Sequence, residues 1–219
     1  MSTATRPASA SRPTKGEETR SQILTAAVQQ ASERGFESLT IGTLAERTGL
    51  SKSGLFAHFG SRVELQMAAL DEAARQFTEQ VFMPALKAPR GVKRLRALIE
   101  LWIDWPARAH LRGGCPIDAA SREYDHQPGA MREAVIERQK LLDRELTKTV
   151  QMGIDAGELA PETDARQLAF EILGIVMVCF RSEIIFGPEE AHRRARTSFA
   201  RLIDHHAAAS ARRPATSRR

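Results

Sequence analysis

The sequence predicts an all-α fold: a compact N-terminal three-helix head carrying a helix-turn-helix, followed by a longer C-terminal helical bundle. Three observations predict it. Apolar residues recur at helical spacing along the chain and nowhere alternate with polar ones over a convincing strand. The stretch from Leu39 to Phe59 reads as two short helices joined by a turn at Gly49, the spacing that lets a second helix enter a DNA major groove. Glycines and prolines then divide the remainder into segments long enough to be bundle helices.

The elements follow in order. Ile23, Leu24, Ala27, Val28 and Ala31 form one face of a first helix, which Gly35 ends. Thr40 is placed to cap the second helix and Gly49 to end it; Ser51 caps the third, with Leu55 and Phe59 inward. Leu24, Val28, Phe36, Leu44, Leu50, Leu55 and Phe59 are the expected core of the head. Gly60 closes the third helix, and Ser61 to Glu64 reads as a capping box for a fourth running to Phe82, ahead of Pro84. Further helices are expected over Gly91–Ala109 with a kink at Pro106, from Cys115 to near Tyr124, over Gly129–Asp155, over Asp164–Phe186, and from Pro188 to His206. The expected organisation is a basic, disordered tail over 1–16, a head over 17–62, a helical body over 63–206 and a second basic, disordered tail over 207–219.

Composition narrows the function classes. At 219 residues and 42% hydrophobic content the chain has ample material for a core. The most apolar stretch, Leu168 to Phe180, is too short to span a bilayer and is interrupted by Glu171, so no membrane partner is expected. The N-terminus lacks the apolar centre of a signal peptide, and the two cysteines, Cys115 and Cys179, form no C-x-x-C pair, which points to a reducing cytoplasm. Seven cations of the tails (Arg6, Arg12, Lys15, Arg212, Arg213, Arg218, Arg219) exceed the whole net charge of +5, so the body is slightly acidic. Over 17–62 five cations offset five glutamates, so one head alone should bind DNA weakly. There is no nucleophile elbow, phosphate-binding glycine loop or metal-spaced His/Glu cluster, hence no enzyme activity or cofactor is expected. His205-His206 beside Asp204 lacks further ligands at suitable spacing and fits a helix end better than a metal site.

The head resembles that of the TetR family of one-component transcriptional regulators. The residues that carry the likeness are Ile23-Leu24-Thr25-Ala26-Ala27, then Thr40, then Leu44-Ala45-Glu46-Arg47-Thr48-Gly49-Leu50-Ser51, and finally Leu55-Phe56-Ala57-His58-Phe59-Gly60-Ser61-Arg62. The likeness covers about residues 17–70; beyond that it is one of helix count and order. It implies a cytoplasmic homodimer that binds a double-stranded, palindromic operator, most commonly as a repressor, and is released by a small molecule.

Within that reading the DNA contacts are assigned residue by residue. Ser51 points the N–H groups of a helix start at a phosphate or base edge, Lys52 and Ser53 lie on the exposed first turn, and Gly54 permits close approach to the groove. Thr40 and Thr43 suit the phosphate backbone, with His58 and Arg62 one turn on as further phosphate partners. Phe56 occupies the position where the family usually has a phosphate-binding tyrosine, so that hydroxyl is missing here.

In the second half, Leu168, Ile172, Ile175, Val176, Cys179, Phe199, Leu202 and Ile203 supply the apolar surplus assigned to dimerisation. Phe77, Trp102, Trp105, Cys115, Tyr124 and Met177 are the candidate lining of a pocket for a mainly apolar or aromatic effector. The alternative is a DNA-bound regulator with no small-molecule ligand, acting through a protein partner or through a redox switch at Cys115, with Arg112 nearby lowering its thiol pKa.

Overall fold

The computed structural model describes residues 14–208. The outer parts of both expected tails, 1–13 and 209–219 with Arg6, Arg12 and the four C-terminal arginines, lie outside the described residues.

Helix α1 (Lys15–Arg34) starts two residues inside the expected tail because Thr14 and Glu17 form a capping box, Thr14 Oγ1 accepting from the Glu17 N–H at 3.3 Å and the Glu17 carboxylate accepting from the Thr14 N–H at 2.7 Å. A 3₁₀ turn (Phe36–Ser38) leads to α2 (Ile41–Thr48) and α3 (Lys52–Phe59), joined through Gly49 in the left-handed region at φ 70°. That turn lifts Leu50 out of the expected core, leaving it 38% exposed, while Leu24, Phe36, Leu44, Leu55 and Phe59 are buried as expected.

Helix α4 (Arg62–Phe77) begins at Ser61, whose hydroxyl accepts from the Glu64 N–H at 3.1 Å. The expected stop before Pro84 is not there. A π-helical turn (Thr78–Phe82) and α5 (Met83–Ala85) carry the helix through the proline. Pro84 has no N–H for the carbonyl of Gln80, and the guanidinium of Arg108 donates to that oxygen instead at 3.1 Å.

Helix α6 (Val92–Ile103) stops at Asp104 and α7 (Trp105–Arg108) starts anew, so a break replaces the expected kink. Helices α8 (Pro116–Glu123), α9 (Ala130–Asp155), α10 (Ala165–Phe186) and α11 (Pro188–His206) agree with expectation to within a residue or two at their ends. At the end of α11 the Ala160 N–H donates to the His206 carbonyl at 2.8 Å, and just beyond it the Ala208 N–H donates to that of Glu158 at 3.1 Å, so Ala208, expected in the tail, packs on the body.

Two cores result. The first joins α1 to α4 with Ala120 and Tyr124 at the end of α8 and Met131, Ala134 and Val135 at the start of α9. The second gathers α6, α10 and α11 with Phe77, Trp102 and Trp105. Val28, expected in the head core, faces this second cluster from α1. The head is therefore rooted in the body rather than strung from it.

Candidate nucleic-acid interface and internal cavity

The exposed end of the head is built from two capped helix starts. Thr40 Oγ1 accepts from the Thr43 N–H at 3.1 Å, and Thr43 Oγ1 accepts from the Thr40 N–H at 3.2 Å. The Thr43 hydroxyl is further occupied, donating to the Ser38 carbonyl at 2.9 Å and lying 3.0 Å from the Gln30 amide that donates to it. What this end offers an anion is therefore chiefly backbone N–H, since the first turn of a helix has no intrahelical acceptors for these groups. Ser51 Oγ accepts from the Gly54 N–H at 3.1 Å, leaving Lys52, Ser53 and Gly54 exposed on the first turn of α3. A Cβ placed on Gly42 would meet Lys52 Cε at 3.9 Å, so the starts of α2 and α3 adjoin. Phe56 is 58% exposed, and His58 is half-buried beside the Phe59 ring.

The cations of the head are unequally free. Arg47 pairs with Glu33 at 2.9 Å. Arg20 lies over the Phe59 ring, 5.2 Å from its centroid. Arg62 is turned back on its own chain, donating to the carbonyls of Leu39 (3.3 Å) and Glu37 (2.6 Å) and to the Glu37 carboxylate (2.6 Å). Arg62, expected as a phosphate partner, already has intrachain partners: its donors fit the open end of the 3₁₀ turn.

A cavity of about 290 Å³ opens between α4, α6, α8, α9 and α10. Phe77, Phe82, Trp102, Cys115 and Met177 line it, together with Ile117, Leu141 and Leu142, and with Asp118, Arg138, Gln139 and Glu145 as its polar members. Phe77 is the hub, its ring 5.3 Å from that of Trp102 and 5.5 Å from that of Phe82, both edge-on. Burial raises the pKa of Asp118 and lowers that of Arg138, so the wall disfavours charge on both. Two expected lining residues are elsewhere. Trp105 belongs to a new helix after the break at Asp104 and packs behind Phe77, at 5.0 Å between ring centres. Tyr124 lies at the opposite end of α8 from Cys115, roughly 13 Å away at 1.5 Å per residue, and is buried in the head core.

Cys115 is buried, and its thiol is pushed up to about 12, chiefly by that burial. Burial, not Arg112, is the largest influence on this thiol, and it disfavours the thiolate form. The indole N–H groups of Trp102 and Trp105 are buried without an acceptor among the described residues.

The residues expected to pair two chains lie mostly inside one. Leu168, Ile172, Val176, Cys179, Phe199 and Ile203 are consumed inside the chain, and Ile175 and Leu202 are half-buried. The exposed apolar residues of α10 are instead Phe170 (68%), Val178 (63%) and Ile185 (66%), with Ile184 and Phe186 at its end. No helix among the described residues is long and apolar enough to cross a membrane.

Sequence reasoning missed two features. The polar cavity residues on α9 lie on an ordinary amphipathic helix and become a site only when α9 crosses α4. Cys179, Glu183 and His192 bring three metal-ligand atoms within 4.8 Å of one another. Cys179 and Glu183 stand at i, i+4 on one helix face, a readable signal, but His192 arrives only after the chain reverses at Gly187 and Pro188.

A helix-turn-helix head rooted in a cavity-bearing helical body defines a class of DNA-binding regulators, and the comparisons with known proteins specify it. Residues 23–69 match the family described as bacterial regulatory proteins, tetR family, and residues 91–199 match the tetracyclin repressor-like C-terminal domain. The chain belongs to the TetR family of transcriptional regulators, a family of DNA-binding regulators and not of enzymes. It is 32% identical over 89 residues to the HTH-type transcriptional activator FasR of Mycolicibacterium smegmatis (41% of each chain). It is 37% identical over 62 residues to the HTH-type transcriptional repressor AcnR of Corynebacterium efficiens (28% of this chain, 33% of that one). The chain thus spans about two fifths and one third of these relatives' lengths. The fold is similar to that of a TetR-family regulator from Cytophaga hutchinsonii, with a TM-score of 0.77 and 19% identity over 90% of this chain and 98% of that one.

Proposed function

We propose that this protein is a cytoplasmic homodimeric repressor that binds a palindromic DNA operator and is released by a small, mainly apolar or aromatic effector. The observation that carries this reading is the path of α8. Cys115 and Ile117 at its start line the cavity, and Glu123 at its end holds the N-terminal side of the 3₁₀ turn in the head. A ligand that fits the cavity only when α8 moves shifts the head with it, and shifts the equilibrium by its differential affinity for the two states. Phe77, Phe82, Trp102 and Leu142 supply the apolar wall.

Lys52, Ser53 and Gly54 on α3 read base edges, while the helix starts at Thr40 and Ser51, with His58, hold phosphates. Dimerisation supplies what one nearly neutral head lacks, by offering two recognition helices about 34–36 Å apart. The exposed Phe170, Val178 and Ile185 of α10 are the surface for the second copy. Repression is chosen over activation as the family's commoner mode; the relatives include one named activator and one named repressor.

The test is release of a selected operator duplex, read by fluorescence anisotropy against a library of aromatic and long-chain apolar compounds. A compound that raises Tm and releases the wild type, but not a cavity-filled Leu142→Trp variant, supports the proposal. If no compound in the library shifts either readout, regulation through a protein partner takes its place.

A further inference from the structure

We propose that Cys179, Glu183 and His192 form a binding site for one divalent transition-metal ion of the zinc type, separate from the cavity. Three different donors converge here, a thiol sulfur, a carboxylate oxygen and an imidazole nitrogen, with their ligand atoms within 4.8 Å of one another. A tetrahedral zinc ion with bonds of about 2.0–2.3 Å requires ligand atoms roughly 3.3–3.7 Å apart, so adjustments on the order of 1 Å close the set. The donor mixture selects the metal class. Sulfur and imidazole suit zinc and its neighbours, whereas calcium and magnesium take oxygen.

The second observation is what stands behind the histidine. His192 Nδ1 lies 3.2 Å from the Asp104 carboxylate, while Nε2 faces Glu183 Oε1 at 2.9 Å. Asp104 is itself held by Arg196, at 3.0 Å. A carboxylate on the far nitrogen is the arrangement that fixes the tautomer and aims the ring of a metal-binding histidine. A simple ion pair between His192 and Glu183 has no use for the Cys179 sulfur beside it; a metal uses all three and keeps a fourth position for water. On binding, the Cys179 thiol and the His192 Nε2–H that faces Glu183 give up their protons to solvent, Nε2 and the Glu183 carboxylate replace their mutual contact with bonds to the ion, and α10 is clamped to α11. The inference stands independently of the effector proposal.

The test is titration of the reduced, full-length protein with Co²⁺, followed by displacement with Zn²⁺. Expected are one saturable equivalent per chain and a thiolate-to-cobalt charge-transfer band that is lost in Cys179→Ser and kept in Cys115→Ser. His192→Ala should weaken binding at least tenfold, and Asp104→Asn about 10–100-fold with the band retained. Because Cys179 is buried, X-ray absorption of the zinc-loaded wild type gives a reading that needs no variant: one sulfur among the nearest neighbours. No saturable binding, a band that survives Cys179→Ser, binding indifferent to His192→Ala, or a zinc shell without sulfur overturns the proposal.

Discussion

The carboxylate of Glu123 grips the backbone of Phe36: Oε2 accepts from the Phe36 N–H at 2.7 Å, while Oε1 accepts from the next N–H, that of Glu37, at 2.6 Å. The two residues lie 87 positions apart, and the contact joins the end of α8 to the turn that carries the chain from α1 into the helix-turn-helix. An anion receiving two N–H groups at a helix start is a strong, directional tie. The same turn is braced from the other side by Arg62 and from below by Gln66, whose amide donates to the Phe36 carbonyl at 2.9 Å.

Replacing Glu123 by Gln leaves one acceptor and sets an amide donor against the second N–H. The expected cost is about 1.5–3 kcal/mol of unfolding free energy, since the lost bond involves a charged acceptor. Urea denaturation of the full chain measures it. A variant as stable as wild type would show that the grip carries little energy.

Gly113 fixes the approach of the α7–α8 connection to α1. A Cβ there would stand 1.7 Å from the Ser32 carbonyl oxygen, and the Gly113 N–H donates to Ser32 Oγ at 3.1 Å. Gly113→Ala should therefore force the backbones apart and cost about 1–3 kcal/mol in stability, as overpacking does. Gly157→Ser offers a contrast, because its φ of 69° and not close contact sets the penalty. Thermal melts of both variants separate the two causes.

Lys52 and Arg62 should behave differently. Lys52→Ala is expected to cost about 1–3 kcal/mol in operator binding and to change base preference. Arg62→Ala is expected to lower the stability of the head by about 1 kcal/mol, through the lost bonds to Glu37 and Leu39, while leaving the salt dependence unchanged. A salt slope smaller by about one unit in Arg62→Ala would restore the phosphate role.

Cys115 yields a pH dependence. Its folded pKa of about 12 exceeds the unfolded thiol value of roughly 8.5, so the neutral form is favoured on folding. The resulting stability is fully present below about pH 8.5 and is lost as pH rises towards 12. Iodoacetamide should leave Cys115 unmodified in the native protein at neutral pH and react as the solution becomes strongly alkaline. Rapid labelling at pH 7, or peroxide-dependent loss of operator binding that Cys115→Ser abolishes, would contradict this.

Much of the fold was legible because its signals are local. The caps at Thr40 and Ser51, the left-handed glycines and the helical stripes each depend on residues a few positions apart. The failures share a different cause. Pro84 reads as a stop because the rescue of the Gln80 carbonyl by Arg108 comes from 28 positions away. Tyr124 resembles a pocket residue because aromatic residues look alike in sequence, whereas the length of α8 carries it to the head. Arg62 is a cation on a polar face until the carbonyls of Leu39 and Glu37 are seen beneath it. The Cys179–Glu183–His192 cluster needs the reversal at Gly187 before it exists at all.

The central claim is a twofold pair of heads reading DNA through α3, and selection of bound fragments from random duplex DNA by the full-length protein tests it most directly. The account predicts recovered sites with inverted-repeat symmetry and half-sites about 10–10.5 bp, or a multiple of that, from centre to centre, bound by an even number of chains and lost on Lys52→Ala. Recovered sequences without symmetry, or no enrichment over bulk competitor at moderate ionic strength, would contradict it.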